Sequence, residues 1–104
     1  MADDRILTGA EVEEAALADW RSLEGALHTR FRTGDFVTGV ALIDRISEAA
    51  EAANHHPDVD LRYPHVDVRL LSHDVGGITE RDVRLAREIS AIAADLGVGA
   101  DPSA

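Results

Sequence analysis

A chain of 104 residues has room for one folded domain with a modest hydrophobic core, and 45% hydrophobic content is too high for an intrinsically disordered protein. The formal net charge of −10 disfavours nucleic acid and anionic membranes as direct partners, because both bind cationic protein surfaces. The absence of cysteine excludes disulfides, thiol nucleophiles and thiolate metal sites, and no segment resembles a secretory signal or a membrane span. We expect a single soluble cytoplasmic domain over 1–104, with flexible ends at 1–7 and 98–104.

The first third of the chain predicts one helix followed by a β-hairpin. Thr8 and Glu11 have the spacing of a capping box, in which two side chains satisfy free N–H groups at a helix start. A short helix is therefore expected over about residues 10–18. Side chains alternate in polarity on both sides of Glu24-Gly25, and this alternation predicts a hairpin over about residues 20–32.

A second helix and a second strand pair follow. Apolar residues recur at three- and four-residue steps over 35–53, which predicts an amphipathic helix with Asp35 as its N-cap. Pro57 disfavours helical geometry at the residue before it, so the helix is expected to end there. Alternating side chains in 60–63 and 66–72 predict two strands.

The last third predicts a turn and a third helix. Gly76-Gly77 interrupts the strand pattern, and Thr79 with Asp82 repeats the capping arrangement. An apolar stripe continues to Gly97, and residues 99–104 are expected to fray. Two hairpins with interspersed helices predict an α+β fold in which a four-stranded antiparallel sheet carries three helices on one face, in the order α-β-β-α-β-β-α.

The candidate functional residues are three histidines and two carboxylates, namely His55, His56, His73, Glu51 and Asp82. Histidine exchanges protons near neutral pH without special tuning, which indicates acid–base chemistry. Glu51 and His55 are four residues apart, so on one helix face the carboxylate can bond to the ring and orient it; an ordinary surface pair is the alternative. His56 precedes Pro57 outside the helix register, so its ring is expected to point elsewhere, unless both histidines are simply exposed loop residues.

His73 is expected at the end of the last strand, just before Asp74, where a side chain can project over a cleft. A lone histidine at a strand end is more often structural, but the presence of His55 and His56 in the same pattern favours a functional role. Asp82 is expected mainly to cap the third helix. His28 and His65 lack a carboxylate partner at helical spacing and are interpreted as surface or hairpin residues.

Two other kinds of chemistry are disfavoured. His55, His56 and His73 with Glu51 offer nitrogen and oxygen ligands for zinc, but adjacent histidines rarely reach one ion, and neither HExxH nor a cysteine pattern is present. Nucleophilic catalysis lacks both a thiol and a GxSxG motif. We therefore expect no metal site.

These residues resemble the signature of the pterin-4a-carbinolamine dehydratase family, also called 4a-hydroxytetrahydrobiopterin dehydratases. The family pattern is an acidic residue, three positions, His-His-Pro, five positions, an aromatic residue, nine positions, His, and later Asp. The matching residues are Glu51, His55, His56, Pro57, Tyr63, His73 and Asp82. The segment SHDVGGITERDVRLAREI also resembles the family, and the resemblance covers nearly the whole chain.

The resemblance implies a homodimer or homotetramer that needs no cofactor and binds a pterin. The residues implied to carry the chemistry are His55, His56, His73 and Glu51. Those expected to bind substrate are Pro57, Val59, Ser72 and Asp74, and those expected to support the site are Tyr63 and Asp82. Many family members have tryptophan where this chain has Val59, which removes ring area from the expected pterin pocket.

The implied reaction converts a 4a-hydroxytetrahydropterin to the quinonoid dihydropterin and so recycles the pterin cofactor of aromatic amino acid hydroxylases. One proton must reach the hydroxyl at C4a and one must leave N5. We expect His55, oriented by Glu51, to be the base, and His56 and His73 to be the acids. Two alternatives stay open: a non-catalytic pterin-binding or dimerisation module of this fold, since one family member serves a homeodomain transcription factor in that way, and the same chemistry on a related heterocycle.

Overall fold

The chain folds into three helices and five strands in the structure, a computed structural model that describes residues 5–104. In chain order the elements are α1 (Gly9–Glu14), β1 (Arg21–Leu23), β2 (Ala26–Arg32), α2 (Phe36–Ala53), β3 (Asp58–Arg62), β4 (His65–Leu70), α3 (Glu80–Asp95) and β5 (Gly99–Asp101). The predicted α+β class and the order of the first seven elements are confirmed.

The strands form one antiparallel sheet in the order β1-β2-β4-β3, with β5 paired to the same edge of β2 as β1. The prediction of four strands and a frayed tail is wrong, because residues 99–101 form a fifth strand. β1 pairs only with residues 26–28 of β2, which leaves the backbone groups at 30–32 open to another strand. Gly97, with φ 72°, turns the chain from the end of α3 back toward this edge.

The predicted helix starts are confirmed, whereas one predicted helix end is wrong. Thr8 and Thr79 both form complete capping boxes, and the Asp35 side chain accepts a hydrogen bond from a backbone amide one turn into α2. α1 ends at Glu14 rather than near residue 18, because Ala16 adopts left-handed backbone with φ 53° and breaks the helix.

The second hairpin lies about two residues closer to the N-terminus than its pattern predicts. β3 begins at Asp58 and β4 ends at Leu70, because pairing Val59 with Val68 keeps apolar side chains on one face of the sheet. The chain reverses at Tyr63-Pro64, where the tyrosine is 68% exposed.

The hydrophobic core lies between the helices and one face of the sheet, as predicted. Its largest fully buried side chains come from β2, β4, α2 and α3 and include Phe31, Leu27, Val66, Val68, Leu70, Leu42, Ile46, Leu85 and Ile89. Strand residues of this face alternate with polar residues of the other face, which is typical of an antiparallel sheet covered on one side. Within the described part of the chain, no helix combines the length and the hydropathy needed to cross a membrane.

The opposite face of the sheet is charged. Arg30 of β2 and Asp67 of β4 form an ion pair of 2.7 Å, and the guanidinium of Arg30 lowers the pKa of the aspartate. His28 and His65 lie half-buried on this face, so their interpretation as sheet-surface residues is confirmed. Partly exposed ion pairs of this kind contribute at most about 1 kcal/mol each, so the stability of the sheet rests on its buried face.

Candidate active site

The end of α2 is a left-handed turn that separates two neighbouring histidines. Asn54 has φ 50° and ψ 43°, and its amide donates to the Glu51 carbonyl. The next amide, of His55, donates to the Ala50 carbonyl. This pair of bonds is a Schellman motif, in which one left-handed residue, often glycine or asparagine, reverses the chain after a helix. His55 therefore turns inward and is 9% exposed, whereas the ring of His56 faces solvent.

His55 is held by a buried carboxylate from α3. Its Nε2 lies 2.5 Å from Oδ1 of Asp82, which is fully buried. The other carboxylate oxygen accepts hydrogen bonds from the Ser72 hydroxyl at 2.8 Å and from the Thr79 amide at 2.9 Å. The two hydroxyls, of Ser72 and Thr79, are 2.8 Å apart. The predicted capping role of Asp82 is confirmed, and the contact with His55 gives it a second role.

The predicted hydrogen bond between Glu51 and His55 is wrong. Glu51 Oε2 lies 2.5 Å from Nε2 of His56 instead, in a pair whose side chains are 73% and 56% exposed. The left-handed backbone at Asn54 is the cause, because it rotates the chain out of the helix register before the first histidine. The prediction that the two imidazoles point in different directions is confirmed.

The two histidines also line different cavities. His55 lines a cavity of about 170 Å³ whose other polar walls are Arg81, Arg84 and Glu88. His56 lines a groove of similar volume between α2 and β3, and the groove walls are mostly apolar. The residues of that groove are Ile43, Ile46, Ser47, Ala50, Glu51, His56, Pro57 and Val59. Pro57 and Val59, predicted to bind substrate, thus lie beside His56.

His73 is exposed in the turn between β4 and α3. It follows Ser72 directly, and the Ser72 hydroxyl bonds to the carboxylate that holds His55. The next residue, Asp74, forms an ion pair of 2.9 Å with Arg81 in the first turn of α3. The hydrogen bond from Arg81 lowers the pKa of Asp74. The turn that carries His73 is joined to the buried histidine through the hydrogen bonds of Ser72 and Asp82.

Sequence reasoning missed the two arginines of the His55 cavity. Arg81 lies in the first turn of α3 and reaches Asp74 in the preceding turn, so the two do not share one helix or strand. Arg84 lies one turn further along α3 and lines the same cavity. Tyr63, predicted to support the site, lies in the β3–β4 turn, and none of the contacts described for residues 5–104 joins it to either histidine cluster.

In chemical terms the site offers two histidine–carboxylate pairs of opposite character. The His55–Asp82 pair is buried and fixed by further hydrogen bonds, whereas the His56–Glu51 pair is open to water. Over residues 5–104, no three potential metal ligands from His, Asp and Glu come close enough together to hold an ion. The arrangement is suited to proton transfer.

Comparison with known proteins connects this site to one family. A sequence profile described as "Pterin 4 alpha carbinolamine dehydratase" matches residues 5–92. A relative from Mycolicibacterium vanbaalenii, named "Putative pterin-4-alpha-carbinolamine dehydratase", is 41% identical over 90 residues, which cover 84% of this chain and 96% of the relative. A relative of the same name from Acidobacterium capsulatum is 40% identical over 88 residues, which cover 83% of this chain and 96% of the relative.

Two solved structures also resemble this chain. A crystal structure described as a transcriptional coactivator/pterin dehydratase from Brucella melitensis aligns with a TM-score of 0.80 at 34% identity, covering 86% of this chain and 99% of that chain. A pterin dehydratase-like protein described as a RuBisCO assembly factor of the alpha-carboxysome shares the fold alone, with a TM-score of 0.58 at 21% identity over 71% of this chain and 86% of that chain. The profile and the relatives span most of the chain and all of the candidate active site, and the chain therefore belongs to the pterin-4-alpha-carbinolamine dehydratase family.

Proposed function

We propose that the protein dehydrates a 4a-hydroxytetrahydropterin to the quinonoid dihydropterin with histidines as the proton carriers. The observation that carries this proposal is the buried contact between His55 and Asp82. Membership of the family supports the class of reaction, and the contact supplies a base with a fixed ring. Such an enzyme would recycle the pterin of an aromatic amino acid hydroxylase in the cytoplasm.

The base in this proposal is Nδ1 of His55. An ionised carboxylate can only accept hydrogen bonds, so Asp82 holds the tautomer in which Nε2 carries the proton. The lone pair of a neutral ring then lies on Nδ1, which can take the proton from N5 of the substrate. The electron pair of the N5–H bond forms the C4a=N5 double bond. The C4a–O bond breaks at the same stage, and its electron pair leaves with the oxygen.

The acid in this proposal is His56 or His73, which protonates the departing hydroxyl so that it leaves as water. Both side chains are exposed and can take up a new proton from solvent after each turnover. Glu51 accepts a hydrogen bond from His56 and so orients its ring. Because His55 and His56 line different cavities, a role for His56 as the acid requires a substrate that spans from the His55 cavity to the groove beside His56.

The cavity beside His55 supports a small planar ligand. Its volume of about 170 Å³ is below the range of about 300–1,000 Å³ typical of drug-sized ligands. Arg81 and Arg84 offer N–H donors for a ring carbonyl, and Glu88 offers acceptors for an amino group. A pterin carries both groups on one edge. The groove beside His56 would then contact whatever part of the substrate extends past that ring.

The test is turnover by wild type and histidine variants, followed by the absorbance of the quinonoid product. A positioned proton carrier contributes about 10²- to 10⁴-fold, so His55→Ala should slow turnover within that range. His56→Ala and His73→Ala should each slow it, by less if the two acids substitute for one another. His28→Ala and His65→Ala are matched controls on the far face of the sheet and should keep the wild-type rate. A wild-type rate equal to the uncatalysed rate would overturn the proposal.

A second candidate is a binding module without turnover, favoured by the described roles of the two structural relatives, one a coactivator and the other an assembly factor. Titration with a dihydropterin separates the two functions. The enzyme requires both binding and turnover, and the module is favoured if binding occurs with no acceleration. Absence of binding by any pterin would exclude both a pterin enzyme and a pterin-binding module.

We also propose that the protein is a homodimer or homotetramer. Three apolar side chains at the start of α2 are left in solvent, Phe36 at 49%, Val37 at 78% and Val40 at 39% exposure. Large apolar side chains clustered on one helix turn are typical of surfaces that become covered. Sedimentation of wild type and of Val37→Asp tests this proposal, since the charged side chain should shift an oligomer toward monomer and leave a monomer unchanged.

A further inference from the structure

An extended segment before α1, residues Ile6 to Thr8, lies against the turn that carries His73. The Leu7 amide donates to the Ile78 carbonyl at 2.8 Å, and Leu7 itself is 8% exposed. Ile6 covers Gly77: a Cβ atom added there would lie 2.9, 3.2 and 3.3 Å from three carbons of the isoleucine side chain. The isoleucine side chain therefore lies over the glycine, and a residue larger than glycine would require it to shift.

The turn itself, residues 72–77, is closed by backbone hydrogen bonds. The Ser72 carbonyl accepts from the amides of Val75 at 3.2 Å and Gly76 at 2.8 Å, and the Ser72 amide donates to the Gly77 carbonyl at 2.9 Å. Gly76 supplies the left-handed backbone that this closure needs, with φ 74°. One end of the turn is fixed by the bond from Ser72 to Asp82. The other end meets Ile6.

The segment that carries Ile6 is itself well anchored. Arg5 forms a two-point ion pair with Glu11 at 2.7 and 2.6 Å, and Glu11 also accepts from the Thr8 amide at 2.9 Å. These bonds tie both flanks of the isoleucine to α1. Ile6 keeps 49% of its surface exposed, whereas its neighbour Leu7 is 8% exposed. The buried Leu7 therefore anchors the segment. The contact of Ile6 with Gly77 mainly constrains the position of the turn.

From this arrangement we infer that Ile6 is a positioning residue for His73. Its side chain packs over Gly77 at the end of the turn and so limits where the turn holds the imidazole. The inference rests on the proposed function, because the position of His73 matters to turnover only if that histidine donates a proton. A misplacement of about 1 Å at a reacting group can cost about 100-fold in rate, so a loosened turn has a measurable effect.

The first test is Ile6→Ala, with Leu23→Ala as a matched control because Leu23 is a 38% exposed aliphatic residue on β1. We expect the kcat of Ile6→Ala to be about tenfold lower than wild type, with little change in KM. Its thermal midpoint should be as close to wild type as that of the control. Ile6→Val should restore the rate. In a His73→Ala background, Ile6→Ala should cost nothing further. Losses that simply add in this cycle would overturn the inference, because additivity means that the two residues act independently.

The second test uses Gly77→Ala, whose new methyl group collides with Ile6 at 2.9 Å. The double variant Ile6→Ala/Gly77→Ala removes the colliding atoms and should be less impaired than Gly77→Ala alone. Gly9→Ala is the control, because nothing lies within 4 Å of its added Cβ. A double variant worse than both single variants would contradict this contact.

A third measurement does not depend on turnover. The imidazole ¹H–¹⁵N signals of His73 should broaden or shift in Ile6→Ala and stay unchanged in Leu23→Ala. Unchanged signals in both would overturn the inference even with an active enzyme. A wild type without dehydratase activity but with shifted signals in Ile6→Ala would sink the proposed function and leave the positioning contact standing.

Discussion

Replacement of Asp82 by asparagine is the sharpest test of the buried histidine. One oxygen of Asp82 accepts hydrogen bonds from the Thr79 amide and the Ser72 hydroxyl, and the other oxygen faces Nε2 of His55. The Thr79 N–H can only donate, so in Asp82→Asn the remaining oxygen must stay on that side and the new NH₂ group must face the ring. Nε2 then has to accept, the ring proton moves to Nδ1, and the lone pair assigned to the base is lost.

The size of the effect follows from the hydrogen bonds that survive. In Asp82→Asn the amide oxygen still accepts from Thr79 and Ser72, so the loss of stability should be about 1 kcal/mol, the net value of one hydrogen bond. In Asp82→Ala the Ser72 hydroxyl keeps its partner on the Thr79 side chain, but the Thr79 amide and Nε2 of His55 both lose the carboxylate and the cap is lost. Together these cost about 3 kcal/mol. Both variants should fold, because domains of this size are stable by about 5–15 kcal/mol.

The expected loss of activity is much larger than the loss of stability. A wrong tautomer removes most of the contribution of a general base, about 10²- to 10⁴-fold, which corresponds to about 2.7–5.4 kcal/mol in the barrier. Initial rates of quinonoid product formation, normalised to folded protein from urea titrations, measure kcat for wild type and both variants. A kcat of Asp82→Asn within about threefold of wild type would refute the fixed-tautomer argument.

Three further predictions follow from other contacts. Glu51→Gln should lower kcat several-fold by weakening the hydrogen bond that orients the His56 ring, yet change stability by less than about 1 kcal/mol because the pair is exposed; a loss of stability without loss of rate would argue against its role. The guanidinium of Arg5, followed by the Thr8 amide, lowers the pKa of Glu11 from 4.5 to about 2, so its stabilising effect is complete above pH 4.5 and is lost as pH falls toward 2. Glu11→Gln should therefore flatten the pH dependence of the thermal midpoint in that window. Removing residues 98–104 exposes a buried valine and the edge of β2, and should lower stability in urea by at least about 1.5 kcal/mol; an unchanged midpoint would mean that β5 contributes nothing.

Features that depend on neighbours within one helical turn could be predicted from the sequence. The caps at Thr8, Asp35 and Thr79 follow from a side chain and an amide two or three residues away, and the structure confirms all of them. The hairpin turn at Glu24-Gly25 also depends on neighbouring residues, and the structure confirms it. Local chemistry decides these features before any tertiary contact forms.

Features that depend on distant residues could not be predicted in this way. β5 exists because β1 stops short and leaves half of an edge of β2 open, and neither fact is visible in residues 99–101. The partner of His55 lies 27 residues away in another helix, whereas the sequence offered a plausible carboxylate four residues away. The family signature contains both Glu51 and Asp82, but it does not say which carboxylate serves which histidine.

The turn at Asn54 explains how two adjacent histidines come to lie in different surroundings. An asparagine enters left-handed backbone more readily than other residues with a side chain, and here it ends α2 and rotates the next residue inward. His55 becomes 10% exposed at its side chain and is locked to one carboxylate, whereas His56 stays 56% exposed beside another. In the proposed mechanism, a fixed ring keeps its lone pair on Nδ1 until the proton is transferred, which suits the base, and an exposed ring exchanges protons with water, which suits an acid. On that proposal, one left-handed residue separates two adjacent imidazoles into a base and an acid.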